Sequence, residues 1–244
     1  MQQKTFMISI HHLVVVLFLF LSCSTTDERG LAVEQSEQTP NLKSDFSYLA
    51  LGDSYTVGES VAYEDSFPIQ LTNRLEEQLN KTVDPTIIAT TGWRTDDLLN
   101  AIDASDTNEP YDMVTLSIGV NNQYQKRPFS QYEDEFPKLL AKAINLVGND
   151  PNRVFVVSIP DYAYTPFSSN LDQQKISQGI DRYNSYAKMK TEEENVVFIG
   201  ITDITRQGLD KPELVASDGL HPSGEAYKKF VDRILPFALA KLKD

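Results

Sequence analysis

The residues of this 244-residue sequence that are best suited to chemistry are a serine, a histidine and an aspartate. Ser54 lies in the segment GDSY, and Asp218 and His221 begin and end the segment DGLH. A serine hydroxyl becomes a strong nucleophile when a base removes its proton, and imidazole suits that task near neutral pH. A carboxylate beside the imidazole holds it in one tautomer, and a tight turn can bring Asp218 to His221. The three types together indicate attack of a serine on an acyl carbon.

Such a reaction places negative charge on an oxygen, which needs hydrogen-bond donors aimed at it. Gly92 and Gly119 lie in short glycine-containing loops, where a backbone N–H can approach a ligand closely. Asn121, in the segment GVNN, offers a side-chain amide. Ser54 does not lie in a G-x-S-x-G elbow because Thr56 occupies the position of the second glycine, which disfavours the usual α/β-hydrolase.

Each of these groups of candidate residues lies after a segment with the pattern of a β-strand. The predicted strands cover 46–51, 85–89, 113–118, 153–159 and 196–201. The predicted helices cover 67–79, 94–102, 132–146, 178–190 and 225–242, and Ser223 is suited to cap the last. Apolar strands that alternate with helices predict an α/β domain with a five-stranded parallel sheet covered on both faces. Ligands bind at the carboxyl ends of such strands, so all the clusters should share one edge.

At this point the sequence resembles the SGNH, or GDSL-type, hydrolase family. The resemblance rests on GDS at 52–54, Gly92, Gly119-x-Asn121 and Asp218-x-x-His221, in that order. It implies a flavodoxin-like three-layer α/β/α sandwich and ester hydrolysis without a cofactor. It also implies a triad of Ser54, Asp218 and His221, and an oxyanion hole from the Ser54 N–H, the Gly92 N–H and the Asn121 side chain. The third block of the family usually reads G-x-N-D, and here Asn122 replaces the aspartate.

Several neighbouring residues are candidates for the wall of a substrate pocket. Asp53, Tyr55, Trp93 and Asn122 flank the proposed catalytic residues, and the aromatic segment 161–167 follows the fourth predicted strand. For each of these, packing or turn formation is the alternative. No histidine and cysteine cluster of metal-binding type and no phosphate-binding glycine motif is present in the sequence, so neither a metal nor a cofactor is predicted.

The N-terminal segment has the features of a targeting signal. An apolar run at 13–21 is too short to span a bilayer and is typical of a signal peptide, and it is followed by Ser22 and Cys23. The sequence LFLSC resembles a bacterial lipoprotein cleavage site, in which Cys23 carries the lipid. The polar segment 23–44 is then a flexible tether, and 45–244 is one hydrolase domain. Ordinary secretion with an incidental cysteine is the alternative.

This interpretation predicts a protein of the bacterial cell envelope, anchored to a membrane through Cys23 and exposed either to the periplasm or at the cell surface. Removal of residues 1–22 also removes His11 and His12, so His221 is the only histidine left to act as a base. The formal net charge of −13 and the pI near 4.7 argue against nucleic acid as a partner, since the protein and the nucleic acid would both be anionic. The sequence contains no signal for an oligomeric state.

Three functions remain open from the sequence. The first is an esterase for short acyl groups, including O-acetyl groups on glycans. The second is a lysophospholipase or thioesterase for longer acyl chains. The third is a surface lipoprotein that binds carbohydrate without catalysis, which the presence of Ser54, Asp218 and His221 disfavours.

Overall fold

The computed structural model describes residues 43–107 and 110–243. The predicted signal peptide at 1–22, Cys23 and nearly all of the tether lie outside the described residues. Five parallel strands form one sheet in the order β2-β1-β3-β4-β5. The strands are β1 (Phe46–Gly52), β2 (Val83–Ala89), β3 (Met113–Ser117), β4 (Val154–Val157) and β5 (Val197–Ile199). Over the described part of the chain, no helix is both apolar enough and long enough to cross a bilayer.

Helices cover both faces of this sheet. They are α1 (Ser54–Val57), α2 (Phe67–Leu79), α3 (Thr95–Ala104), α4 (Val120–Tyr124), α5 (Phe129–Asn145), α6 (Gln173–Glu193), α7 (Thr202–Thr205) and α8 (Gly224–Leu242). The apolar residues of α3, α5 and α6 pack in one buried cluster, and those of α2 and α8 pack in another. The result is the three-layer sandwich that the sequence predicted.

The central strand β1 shows why the sheet must be covered twice. Leu49 and Leu51 contribute to one cluster, while Tyr48 and Ala50 contribute to the other, and all four are fully buried. Successive side chains of a strand point to opposite faces, so an uninterrupted apolar strand buries both faces of its sheet. The FSYLAL segment is therefore the sequence signature of a central parallel strand.

The strand order reverses between β1 and β3, which lie side by side. The connections that leave these strands go to opposite sides, and the crevice between them is the usual ligand site of a doubly wound sheet. Ser54 follows β1 and Asn121 follows β3. The fold therefore places these two residues on the two sides of that crevice.

The five-stranded parallel sheet and the large helices were predicted correctly, with boundaries that differ by a few residues. The short helices α1, α4 and α7 were not predicted. Helices of four or five residues contain too little of a helical period to be recognised in an apolar pattern. Two of them, α1 and α4, contain Ser54 and Asn121. The sequence therefore predicted these candidate residues but not the local backbone conformation around them.

Candidate active site

Ser54 begins α1 directly after the central strand β1. The Asp53 side chain caps this helix by accepting a 3.1 Å hydrogen bond from the Tyr55 N–H, and Gly58 ends it in the left-handed conformation with φ 81°. The strand-to-helix turn requires glycine at position 52, because a Cβ there would lie 2.0 Å from Thr56 Oγ1 and 2.6 Å from the Ser117 carbonyl oxygen. The serine is thus held at a tight turn at the carboxyl end of the sheet.

His221 lies between Ser54 and Asp218. Its Nε2 atom is 3.0 Å from Ser54 Oγ, and its Nδ1 atom is 2.6 Å from Asp218 Oδ2. Ser54 is 3% exposed and His221 is 7% exposed, and the Tyr55 ring packs against the imidazole at 4.9 Å between ring centres. The structure therefore brings together the three residues that the sequence selected.

The Asp218 carboxylate accepts hydrogen bonds at both oxygens. Oδ1 accepts from the N–H groups of Leu220 and His221, and Oδ2 accepts from Ser60 Oγ as well as contacting His221. Partial burial opposes ionisation, but these hydrogen bonds outweigh it and lower the pKa of Asp218 to about 2. An ionised carboxylate can only accept, so His221 Nδ1 must carry the proton and Nε2 is left as the acceptor that faces the serine hydroxyl.

Ser60 is a site residue that the sequence analysis missed. Its hydroxyl is 2.8 Å from Asp218 Oδ2, although the two residues are 158 positions apart. Its backbone has φ 66°, a left-handed conformation that is uncommon for serine. No pattern in the sequence marks this contact, because it depends on how the loop after α1 meets the loop before α8.

Gly92 and Asn121 lie along the same cleft as Ser54. Gly92 has φ 84°, which favours glycine at this position, and Asn121 Nδ2 donates a 3.0 Å hydrogen bond to the Trp93 carbonyl. An amide NH2 has a second proton, which can be donated to a ligand or to the nearby Asp53 carboxyl group. The Ser54 N–H belongs to the first turn of α1, where backbone N–H groups have no acceptor within the helix.

Asp53 is buried below the serine and serves mainly as a cap. Its Oδ2 atom has no hydrogen-bond partner among the described residues. Burial raises the pKa of Asp53 to about 7 against the opposing effect of the Tyr55 N–H and the nearby Asn121 amide. A neutral carboxyl group is therefore the favoured form of this residue below neutral pH.

A cleft of about 270 Å³ opens over Ser54 and His221. Its walls include the aromatic residues Tyr124, Tyr162 and Phe167, together with Tyr55, Val120 and Leu220. Tyr124 is 47% exposed and Phe167 is 43% exposed, and their rings are 6.0 Å apart. Of the predicted pocket residues, Tyr55 lines this cleft. Asp53, Trp93 and Asn122 lie outside its lining and are buried or partly buried behind it.

The aromatic segment after β4 is held in place by an ion pair. Arg206 Nε donates a 2.9 Å hydrogen bond to the fully buried Asp161, and a second guanidinium nitrogen lies 2.7 Å from Asp181. Asp161 also accepts from the Ala163 N–H at 3.0 Å. These contacts hold the backbone from which Tyr162 reaches the cleft.

Within residues 43–107 and 110–243, no group of three or more His, Cys, Asp or Glu side chains is arranged to hold a metal ion.

The sequence is similar to known proteins over most of its length. Residues 50–229 match the model of the GDSL-like Lipase/Acylhydrolase family. The spore germination lipase LipC of Bacillus licheniformis is 25% identical over 224 residues, which cover 80% of this chain and 98% of LipC. The segment matched by the family model contains all the candidate catalytic residues.

Solved structures share the fold. The psychrotrophic esterase EstA from Pseudoalteromonas sp. superposes with a TM-score of 0.62 at 17% identity, covering 82% of this chain and 100% of EstA. A variant of the acetyl xylan esterase Axe2 from Geobacillus stearothermophilus superposes with a TM-score of 0.58 at 17% identity, covering 82% of this chain and 95% of Axe2. At this identity the similarity establishes the architecture, and the sites must be argued from the residues themselves.

Proposed function

The chain is an ester-hydrolysing member of the GDSL-like Lipase/Acylhydrolase family, and from that premise we propose that it is a serine esterase whose nucleophile is Ser54. In this proposal His221 is the base and Asp218 orients it. The observation that carries the proposal is the pair of contacts that His221 makes, 3.0 Å to Ser54 Oγ and 2.6 Å to Asp218 Oδ2. The first distance suits proton transfer from the serine to the imidazole, and the second suits a hydrogen bond that fixes the tautomer and orientation of His221.

The reaction begins when Ser54 Oγ attacks the ester carbonyl carbon and His221 Nε2 takes the hydroxyl proton. The carbonyl oxygen becomes an oxyanion, which accepts hydrogen bonds from the Ser54 N–H, the Gly92 N–H and the Asn121 amide. Collapse of this intermediate breaks the ester C–O bond, and the imidazolium gives its proton to the departing alcohol. Water then attacks the acyl-enzyme, with His221 again as base, and releases the acid and the free serine.

The substrate we propose is an ester of a short acyl group, including an O-acetyl group on a glycan. The cleft over Ser54 is open and short of charged lining residues, which suits a neutral ester. The architecture that this chain shares with an acetyl xylan esterase is compatible with such a substrate.

The longer-acyl alternative, a lysophospholipase or thioesterase, is favoured by one observation. Tyr124, Phe167 and Leu220 give the cleft an apolar wall on which several methylene groups could be buried. A series of p-nitrophenyl esters from acetyl to dodecanoyl, together with acetylated sugars, separates the two. A maximum of kcat/KM at acetyl supports the short-acyl function, and a steep rise with chain length supports the alternative.

The test of the catalytic proposal is the Ser54→Ala variant. We expect the hydrolysis of p-nitrophenyl acetate to fall by at least about a thousandfold, since loss of a triad nucleophile removes most of the rate enhancement. A fluorophosphonate probe should label the wild-type protein at Ser54 and leave the variant unlabelled. An unchanged rate in the variant would exclude Ser54 as the nucleophile. Absence of labelling in a protein that still binds glycans would favour the non-catalytic carbohydrate-binding function.

We further propose that the enzyme is a lipoprotein of the bacterial cell envelope, anchored at Cys23 by way of the tether at 23–44. The support is the sequence LFLSC at 19–23, which begins within the apolar run at 13–21. Cys23→Ser should move the protein from the membrane fraction to the soluble fraction of expressing cells. Equal partition of the variant and the wild type would point to ordinary secretion.

A further inference from the structure

The family position that usually holds an aspartate is occupied by Asn122, whose side chain is fully buried between α4 and α3. Its Oδ1 atom accepts a 3.1 Å hydrogen bond from the Thr95 N–H. A backbone N–H can only donate, so this contact sets the orientation of the amide. The amide NH2 therefore faces Thr95 Oγ1, at 2.7 Å.

The hydroxyl of Thr95 links Asn122 to Glu135 by hydrogen bonds. Thr95 Oγ1 accepts from Asn122 and donates its single proton to Glu135 Oε2. Glu135, on α5, also accepts from Gln131 Nε2 at 3.1 Å. The direction of the chain is thus fixed from end to end, from the amide donor at 122 through the hydroxyl to the carboxylate at 135.

This chain of hydrogen bonds lies directly behind the two proposed oxyanion donors. Asn121 precedes Asn122 on α4, and Gly92 lies three residues before Thr95, the first residue of α3. Additional contacts join the same two segments. Asn121 Nδ2 donates to the Trp93 carbonyl at 3.0 Å, and Gln125 Nε2 donates to the Gly92 carbonyl at 3.1 Å. The relative position of Gly92 and Asn121 is therefore set by hydrogen bonds between residues 121–125 and the segment 92–95.

We propose that Asn122 is a positioning residue that works as a matched pair with Glu135, and that their hydrogen-bond chain through Thr95 holds the Gly92 N–H and the Asn121 amide at the spacing an oxyanion requires. The catalytic part of this inference rests on the proposed function. An aspartate at position 122 is incompatible with Glu135, because the single proton of Thr95 Oγ1 cannot serve two carboxylates. Either the buried oxygen at position 122 would have no donor, or Glu135 would keep only its hydrogen bonds from Gln131, and the two negative charges would repel.

The pairing can be tested by reversing the direction of the hydrogen bonds between residues 122, 95 and 135. In Asn122→Asp, we expect kcat to fall by about tenfold or more with KM within about twofold, because small displacements of catalytic donors are costly. Glu135→Gln alone should remain close to wild type, because the amide oxygen that it introduces can still accept from Thr95. In the double variant the new amide donates to Thr95 Oγ1, whose proton then goes to the new carboxylate at position 122. The double variant should therefore recover most of the lost kcat.

Thermal unfolding of the same four proteins tests the hydrogen-bond chain whatever reaction the site performs. Asn122→Asp should lower the Tm by about 3 °C or more, and the double variant should melt closer to wild type. A double variant no better than Asn122→Asp in both Tm and kcat overturns the pairing. Should Ser54→Ala leave turnover unchanged, the proposed function fails, while the Tm cycle still decides whether residues 122 and 135 are coupled.

A second pair of variants covers the case in which Asn122→Asp does not fold. Thr95→Val removes the hydroxyl at nearly constant volume, and Thr95→Ser keeps it. We expect Thr95→Val to lower kcat about fivefold or more at a temperature well below its Tm, and Thr95→Ser to stay within about twofold of wild type. A folded Thr95→Val protein with wild-type kcat would show that the chain is structural only and would overturn the positioning role.

Discussion

Ser60 donates a hydrogen bond of 2.8 Å to Asp218 Oδ2, the carboxylate oxygen that also contacts the His221 ring. The serine makes this contact from a left-handed backbone conformation, with φ 66°. A non-glycine residue in that conformation costs free energy, so the surrounding structure must hold it there. Ser60 therefore supports the orientation of the proposed triad without touching Ser54 or His221 through any hydrogen bond of the described structure.

Removal of the Ser60 hydroxyl should weaken this support. We expect Ser60→Ala to lower kcat by about two- to fivefold, because Asp218 loses one of its donors. Ser60→Gly is the matched control for the backbone. It should show the same kinetic loss with greater stability than Ser60→Ala, since glycine adopts positive φ freely. Wild-type kinetics in both variants would remove Ser60 from the proposed machinery.

The buried Asp53 should make stability depend on pH. Its pKa of about 7 in the folded protein lies above the ordinary value of 3.8, so the folded state binds more protons than the unfolded state between those values. The free energy of unfolding should therefore fall as the pH rises through that window. Asp53→Asn keeps an oxygen for the Tyr55 N–H and removes this dependence. Relative to the wild type, the free energy of unfolding of Asp53→Asn should therefore be higher at about pH 8 than at about pH 5.

Urea unfolding at the two pH values measures this difference directly. Asp210→Asn, at an exposed position, is the control and should change little at either pH. A difference between Asp53→Asn and wild type that stays constant with pH would mean that Asp53 is ionised throughout.

The ion pair behind the aromatic wall should be sensitive to loss of its cation. In Arg206→Met the fully buried carboxylate of Asp161 loses its ionic partner, and we expect the free energy of unfolding to fall by about 1–3 kcal/mol, after allowance for the 32% exposure of the arginine side chain. The KM should rise because Tyr162 lies on the same segment. Asp181→Asn removes only the exposed partner of Arg206 and should cost less than about 1 kcal/mol. Equal losses in the two variants would argue against the importance of burial at Asp161.

The turn below Ser54 should not tolerate a side chain. Gly52→Ala places a Cβ 2.6 Å from the Ser117 carbonyl oxygen, and backbone cannot move away as a flexible side chain could. We expect a loss of about 3 kcal/mol or more in the free energy of unfolding. The matched control is Gly200→Ala, where no atom lies within 4 Å of the added Cβ and the change should stay within about 1 kcal/mol. Similar Tm values for the two variants would contradict the close approach.

Much of the fold could be predicted because apolar patterning and burial are linked directly. The apolar segment FSYLAL predicts a strand, and in the structure residues 48–51 are buried on the two faces of the sheet. The helix Phe67–Leu79 was predicted with its observed boundaries, because Leu71 and Leu75 mark one buried face. The short helices α1 and α4 were not predicted, because their conformation is set by capping and by the strands before them.

The candidate site divides in the same way. The amino-acid sequence alone determined which residue types are available, namely one serine after the first strand, the only histidine beyond residue 22, and an aspartate close enough along the chain to reach it by a turn. Tertiary structure decided everything that depends on contacts between distant segments. Examples are the hydroxyl of Ser60 on Asp218, the chain from Asn122 to Glu135, and the aromatic pair of Tyr124 and Phe167 beside the cleft. Chain connectivity constrains residues a few positions apart, whereas distant residues meet only through the packing of the helices and the sheet around them.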